Sequence, residues 1–297
     1  MGPISEKTRL EEYREVKGRL DQKWPIDEAN TSGYTVEDWK TNNDTAKCYD
    51  PKSLMMSFGT VTIREEEGRC EILVFYNLKH ESFQLPKGRR NLHESAADAA
   101  MRETQEETGV VVQPLYLNFD TRIQVDGEMA KEDYVRCNSN GTVTAMNRDI
   151  IYAMSYSDKK TQAYRHIYFY AAQPAAGYGE SNPAMLGNED KTNTVLWLSF
   201  EEAQTQLTMK AERAAVMTAQ ILYKRTRDDK GSWALSKRLL EQWRKENAVR
   251  RALTEQALVR AVVSDTKKVA ILTEAIKRIV TDQAAAAPIL DYLKQLS

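Results

Sequence analysis

The chain has 297 residues, with 42 Lys and Arg against 43 Asp and Glu and a formal net charge of −1. That balance excludes a bulk electrostatic attraction to nucleic acid or membrane, so affinity for polyanions has to come from a local patch. Hydrophobic residues make up 41% and charged residues 29%, which fits an ordinary globular chain and excludes an intrinsically disordered one; no apolar run approaches the ~20 residues of a spanning helix.

The start, MGPISEKTRLEEYREVKGRL, is charged and lacks the apolar stretch of a secretory signal. Gly2 matches a myristoylation start only weakly, because Pro3 follows it. Cys48, Cys70 and Cys137 are odd in number and widely spread, so they read as reduced thiols rather than a disulfide framework. Without a signal, the glycosylation-type triplets at Asn30, Asn43 and Asn140 read as chance. The expected compartment is the cytoplasm, with the nucleus second.

Residues 5–22 read as an exposed helix, and 23–50 as an irregular segment pinned by Trp24 and Trp39. SFGTVTI (57–63) reads as a strand, Glu65 to Gly68 as a turn and CEILVFY (70–76) as the returning strand of a hairpin. A short strand in SFQLP runs into Lys87 and Gly88. Residues 94–108 hold no Gly or Pro and carry Ala at 96, 97, 99 and 100, which predicts a helix packed closely on a sheet and ended by Gly109. VVVQPLYLNF continues as strand, and 124–160 reads as a polar insertion. RHIYFYAA (165–172) and TVLWLSF (194–200) are strands. A helix follows from Glu201 to about Tyr223, capped by Ser199. Asp228 to Ser232 reads as a linker, and 233–296 as helix. The fold class is α/β with helical extensions, divided into 1–51, 52–227 and 228–297.

Glu103, Glu106 and Glu107 stand at i, i+3 and i+4, so a helix puts all three carboxylates on one face. Bare, they repel; a solvated face would interleave lysines, and this one has none. Oxygen ligands in this pattern suit Mg²⁺ or Mn²⁺. Lys87, Arg89 and Arg90 flank Gly88 just before the helix, where phosphates could dock. Arg102 follows Glu94 by two helical turns, a spacing that lets the pair tie the loop to the helix. Arg165 and His166 open a strand and read either as phosphate contacts or as its polar entrance. His93 reads as exposed. Residues 233–297 carry a modest basic excess and read as a surface for a protein partner or self-association.

The stretch Gly88, Glu94, Arg102-Glu103, Glu106-Glu107, Gly109, Val110 resembles the box of the Nudix hydrolases. One position departs: Thr104 stands where an aliphatic residue is usual. The likeness extends over residues 52 to 225. It implies an α/β/α sandwich with a mixed sheet and a metal-dependent hydrolase that cleaves a phosphoanhydride bond in a small polyphosphate. It further implies Glu106 and Glu107 as the main metal ligands, Glu103 as ligand or base, the Gly88 carbonyl as a further ligand, and Arg102 as a support. An additional base outside the box is common in the family; Glu180, Glu189 and Asp190 are candidates. PKGR before the box resembles diadenosine polyphosphate hydrolases, diphosphoinositol polyphosphate phosphohydrolases and decapping enzymes. AMRETQEETG is similar to the diadenosine tetraphosphate group, and RHIYFY to the diphosphoinositol group. The cations Lys87, Arg89, Arg90 and Arg165 favour a highly phosphorylated substrate, either a diphosphoinositol polyphosphate or a dinucleoside polyphosphate. The alternatives are a ligand-sensing scaffold with a helical tail and a decapping-type hydrolase.

Overall fold

The computed structural model describes residues 5–21, 49–125, 132, 134–137, 142–188 and 190–263. Most of the expected irregular N-terminal segment, Cys48, Glu189 and the tail beyond Val263 lie outside them. In chain order the elements are α1 (Glu6–Asp21), β1 (Leu54–Glu66), β2 (Arg69–Asn77), β3 (Ser82–Gln84), β4 (Lys87–Arg89), α2 (Ala96–Thr108), β5 (Val112–Pro114) and β6 (Leu117–Thr121). They continue with β7 (Val135–Cys137), β8 (Val143–Asn147), β9 (Ile150–Ser157), β10 (Tyr164–Pro174), β11 (Thr194–Ser199), α3 (Phe200–Gln206), α4 (Lys210–Asp228) and α5 (Lys230–Val263). The chain divides into two compact units at Arg238/Leu239. Among the described residues no helix is long and apolar enough to cross a membrane.

The main sheet runs β11-β2-β1-β10-β5, with β9 added to β10, β3 to β2 and β4 to β1. It is mixed: β1 and β10 are parallel, and the other pairs are antiparallel. The β1–β2 hairpin closes through Glu67 and Gly68, both at positive φ (49° and 76°), the conformation of the tight turns that match strand twist. Strand alternation then separates two faces. Phe58, Tyr170 and Ala172 face α2, where Ala99 and Ala100 are fully buried and let the helix approach closely. Val61, Ile63, Ile167 and Phe169 face the other way, into the large core formed with Phe200, Ala215, Val216 and Leu222 of α3 and α4. The result is the expected α/β/α sandwich.

Several local readings change. The helix read as exposed at 5–22 is docked along one stripe: Val16 packs on Ala214 and Met217, and Glu12 takes two hydrogen bonds from Arg213 (3.0 and 2.9 Å). The strand expected through 110–119 breaks after Pro114, and β6 leaves to join a separate sheet, β6-β8-β7. The region read as a polar insertion contains β9, which pairs with β10 and carries Ile151 and Met154 into the main core. The helix expected from 201 to 223 is interrupted at 207–209. There Thr208 exchanges hydrogen bonds with Phe83 of β3, both at 3.1 Å. Ser199 does cap the first part, in a reciprocal box with Glu202.

The stretch read as a linker, 228–232, is a tight helix-to-helix junction. Asp229 accepts hydrogen bonds from Gly231 N–H (3.1 Å) and the Ser232 hydroxyl (2.6 Å) and so starts α5 at once. Beyond it, Trp233 packs edge-on against Tyr223 and under Arg227, and Ser236 donates to the Tyr116 carbonyl (2.7 Å). A chain ended at Arg238 is therefore expected to keep the stability of the first unit. One ended at Arg227 loses Trp233 and about 2–4 kcal/mol. Urea midpoints of the two truncations test this, and equal midpoints would show that the start of α5 adds nothing.

Candidate active site

The site grows from the junction of β4 and α2. The first half of β1 pairs with β4, Phe58 opposite Gly88 and Ser57 opposite Arg89. The chain leaves β4 through 90–95, and Ser95 caps α2 by accepting from Asp98 N–H (3.1 Å). The helix ends at Gly109, whose φ of 70° permits its N–H to close on the Gln105 carbonyl (2.7 Å). Between these stops, Glu103, Glu106 and Glu107 line the side of α2 nearest β4.

Gly88 lies against Glu103 so closely that a Cβ there would overlap the carboxylate. The Lys87 N–H donates to Glu107 Oε2 (2.7 Å). Arg102 spends its whole fork on the loop and the carboxylates. It bonds both Glu94 oxygens (2.8 and 2.9 Å), Glu103 Oε1 (2.8 Å), Glu106 Oε2 (2.7 Å) and the Arg89 carbonyl (2.9 Å). These contacts raise the Arg102 pKa and hold Glu94 below the usual carboxylate range. Desolvation outweighs Arg102 at Glu103 and pushes its carboxyl up. At Glu107 desolvation pushes the pKa up to about 8, against the opposing Lys87 charge and N–H and with help from the charge of Asp190.

Asp190 belongs to a loop that docks on the last turn of α2. Gly187 N–H donates to the Glu106 carbonyl (2.8 Å), and Asn193 Nδ2 to the Glu107 carbonyl (3.2 Å) and to Asp190 Oδ1 (3.3 Å). Of the candidates for an additional base, Asp190 thus stands beside Glu107. Glu180 instead pairs with Arg64 (2.7 Å).

The cations read together from the sequence are not brought together. Arg89 and Arg90 are exposed at the exit of β4. Lys87 is buried and turns through the sheet: its ammonium lies 2.8 Å from Glu212 of α4 and donates to Leu85 O and Gln84 Oε1, both at 3.0 Å. Arg165 is on that same far side, bonded to Ser57 Oγ (3.1 Å) and 4.0 Å from Asp158. His166, the next residue, faces the α2 side and meets the Ser155 hydroxyl through Nδ1 (2.7 Å). Adjacent strand residues point to opposite faces, which separates Arg165 from His166; Arg90 lies beyond the end of β4.

His166 instead belongs to a row of rings that the sequence showed only as an alternation of Tyr168 and Tyr170. Tyr49 stacks on Tyr164 (4.6 Å), Tyr164 meets His166 (5.0 Å), His166 lies over Tyr168 (6.3 Å), and Tyr168 stacks on Phe58 (5.6 Å). Phe58 is the cross-strand partner of Gly88. The row therefore begins one strand away from the glycine that touches Glu103, on the same face of the sheet.

A family model described as the NUDIX domain matches residues 54–221, more than half of the chain. The chain belongs to the Nudix family. Its Nudix domain is an enzyme fold that hydrolyses pyrophosphate linkages, and α1 and α5 lie outside the matched span. Solved structures similar to it include an Ap4A hydrolase of C. elegans, at 15% identity and a TM-score of 0.35 over 57% of this chain and 98% of that one. A NUDIX-family hydrolase of Clostridium perfringens has 15% identity and a TM-score of 0.38 over 57% and 97%. A NUDIX hydrolase of Nitrosomonas europaea has 12% identity and a TM-score of 0.36 over 56% and 88%. No curated protein matches the chain in sequence.

Family members generally use divalent cations, and the residues of this Nudix domain fit one. The donor set is all oxygen, the missing side chain at Gly88 lets the Glu103 carboxylate lie against the β4 backbone, and Glu107 is a desolvated carboxylate that a nearby positive charge would favour. Among the described residues no three acidic or imidazole groups yet converge on one point. Glu103 and Glu106 each turn an oxygen onto Arg102 instead.

Proposed function

We propose that the protein hydrolyses the phosphoanhydride chain of a nucleoside-bearing polyphosphate, with a dinucleoside polyphosphate as the substrate class. The observation that carries this reading is the row of rings from Phe58 to Tyr49 beside the carboxylates. Linear dinucleotides offer a short run of charge and two flat bases that need stacking surfaces, and stacking on an aromatic side chain is worth about 1–3 kcal/mol per base. An inositol pyrophosphate would need cations around a ring. Lys87 and Arg165 are committed to the far side of the sheet, which leaves Arg89 and Arg90 as the exposed cations of the box loop.

Glu106, Glu107, Glu103 and the Gly88 carbonyl would hold Mg²⁺ or Mn²⁺, with Asp190 alongside. The cation would neutralise phosphate charge and lower the pKa of water. Glu103, its carboxyl raised by burial, would take the proton of the attacking water as the phosphorus–oxygen bond of the anhydride breaks. Arg102 keeps Glu94, Glu103 and Glu106 in register, and the exposed Arg89 and Arg90 meet the phosphates.

The test is kcat/KM for diadenosine tetraphosphate and for an inositol pyrophosphate at fixed Mg²⁺ and salt, in wild type and Tyr168→Ala. The wild type is expected to prefer the dinucleotide. The variant is expected to lose about tenfold or more on it, mainly through KM, as one stacking contact is removed. Preferential turnover of the inositol substrate, or an equal loss on both, overturns the substrate assignment and leaves the hydrolase assignment standing.

A further inference from the structure

A cavity of about 580 Å³ opens on the α4 side of the sheet, the layer opposite the carboxylates. It is walled by the small sheet β6-β8-β7 and by the junction of α4 and α5. Two of these walls are additions to the α/β core: strands of the inserted region, and a helix beyond the matched Nudix span. The junction is fixed where they meet, since Asn118 N–H donates to Thr226 Oγ1 (2.9 Å) and Asn118 Nδ2 to the Ser232 hydroxyl (3.2 Å).

Three guanidinium groups from three different elements line this cavity: Arg136 of β7, Arg225 of α4 and Arg238 of α5. None pairs with a carboxylate among the described residues. Glu132 stands near Tyr134 but pairs with none of the three, and two further acids at or next to the lining are already committed. Asp229 spends its oxygens on Gly231 and Ser232, and Asp120 accepts from the Thr144 hydroxyl (2.5 Å). Three like charges around one concavity repel each other unless an anion joins them. Guanidinium forks match phosphate oxygens in geometry as well as charge. The helix start is not itself the attraction, because Asp229 already caps it. Tyr134 adds an aromatic wall close to Arg238.

We propose that this cavity is a second ligand site, for a small phosphorylated anion with at least two phosphate charges, separate from the hydrolytic centre. Its volume lies within the range of small-molecule sites, about 300–1,000 Å³. The ligand chemistry is shared by nucleoside diphosphates and by bare polyphosphate, and the Tyr134 ring is the feature that would separate them.

The experiment uses the full chain with a chelator present, and titrates it by calorimetry with pyrophosphate and with ADP. Wild type is compared with Arg136→Ser/Arg225→Ser and, on the hydrolytic side, with Arg89→Ser/Arg90→Ser. The cavity arginines are exposed, so these variants are expected to fold; Arg238→Ser alone is the fallback should the pair not fold. At least one probe is expected to bind wild type. Its Kd is expected to rise about a hundredfold in the cavity pair, on the order of tenfold per guanidinium lost. In the Arg89/Arg90 pair it should change less than threefold. Tighter binding of ADP assigns the nucleoside form, and equal binding assigns bare polyphosphate. No binding of either probe to wild type overturns the proposal. So does binding that survives the cavity substitutions, or that is lost only with Arg89 and Arg90. These readouts do not involve turnover, so failure here leaves the hydrolase reading untouched.

Discussion

Glu106→Gln and Glu107→Gln are each expected to lower hydrolysis at least about a hundredfold, on the order of 3 kcal/mol in the barrier. Each change keeps the shape of the side chain and removes one anionic oxygen donor. Neither should unfold the protein. Gln at 107 still accepts the Lys87 N–H, and Gln at 106 still accepts from Arg102. The Glu107 change carries a second signature. Burial raises its folded pKa from 4.5 to about 8, so without metal the folded state binds the proton more tightly than the unfolded chain. The stability this provides is full below about pH 4.5 and is lost as pH rises towards 8. In chelator, the wild-type melting temperature is therefore expected to fall more between pH 5 and pH 8 than that of Glu107→Gln. Near-normal turnover in both variants would remove these carboxylates from the chemistry. Parallel melting curves would mean that the carboxyl is better solvated than its surroundings indicate.

The second large effect is expected from the pair that crosses the sheet. Glu212 is fully buried, and Lys87 is nearly so. The ammonium lies 2.8 Å from Glu212 Oε1 outside hydrogen-bonding angles, so the contact is held by charge. Lys87→Met leaves the Glu212 carboxylate without its cation in the core, and Glu212→Leu leaves the ammonium there. Either single change is expected to cost about 3–5 kcal/mol, whereas the double change restores much of it because two apolar groups leave no stranded charge. Denaturant midpoints of the two singles and the double form the cycle that measures this. Additive losses would mean that each residue is held by its other neighbours rather than by the pair.

The box was legible because its chemistry depends on helical spacing. Three carboxylates at i, i+3 and i+4 share a face whatever surrounds them, and Glu94 with Arg102 two turns later needs only the loop to fold back. The sandwich was legible for the same reason, through the alternation in 57–63, 70–76 and 165–172. The grouping of the cations failed on a rule the strands already contained. Lys87 beside Gly88, and Arg165 beside His166, are neighbours in a strand and cannot serve the same face. Listing them as one cradle counted charge without direction. The rings escaped notice because Tyr49, Phe58 and Tyr164 come from separate segments, and only the parallel β1–β10 register aligns Phe58 with Tyr168. Asp190 could be named from its position before the last strand. Its place beside Glu107 depends on Gly187 and Asn193 anchoring the loop to backbone carbonyls of α2, contacts that leave no periodic trace in the sequence.

Thr104, the one departure from the box, is not an isolated irregularity. Its hydroxyl meets Thr60 Oγ1 at 2.7 Å, Thr60 meets Thr62 at 2.8 Å, and Thr104 also donates to the Ala100 carbonyl at 2.7 Å. All three threonines are fully buried. A helix and a strand that are usually joined here by an aliphatic contact are joined instead by a short wire of hydroxyls. The wire makes positions 60 and 104 a single heritable character. Restoring an aliphatic residue at 104 alone strands Thr60 without its cross-layer partner, and an apolar residue at 60 alone does the same to Thr104. Moving between the two solutions one residue at a time passes through a costlier intermediate, so positions 60 and 104, some forty residues apart in the chain, have to change together.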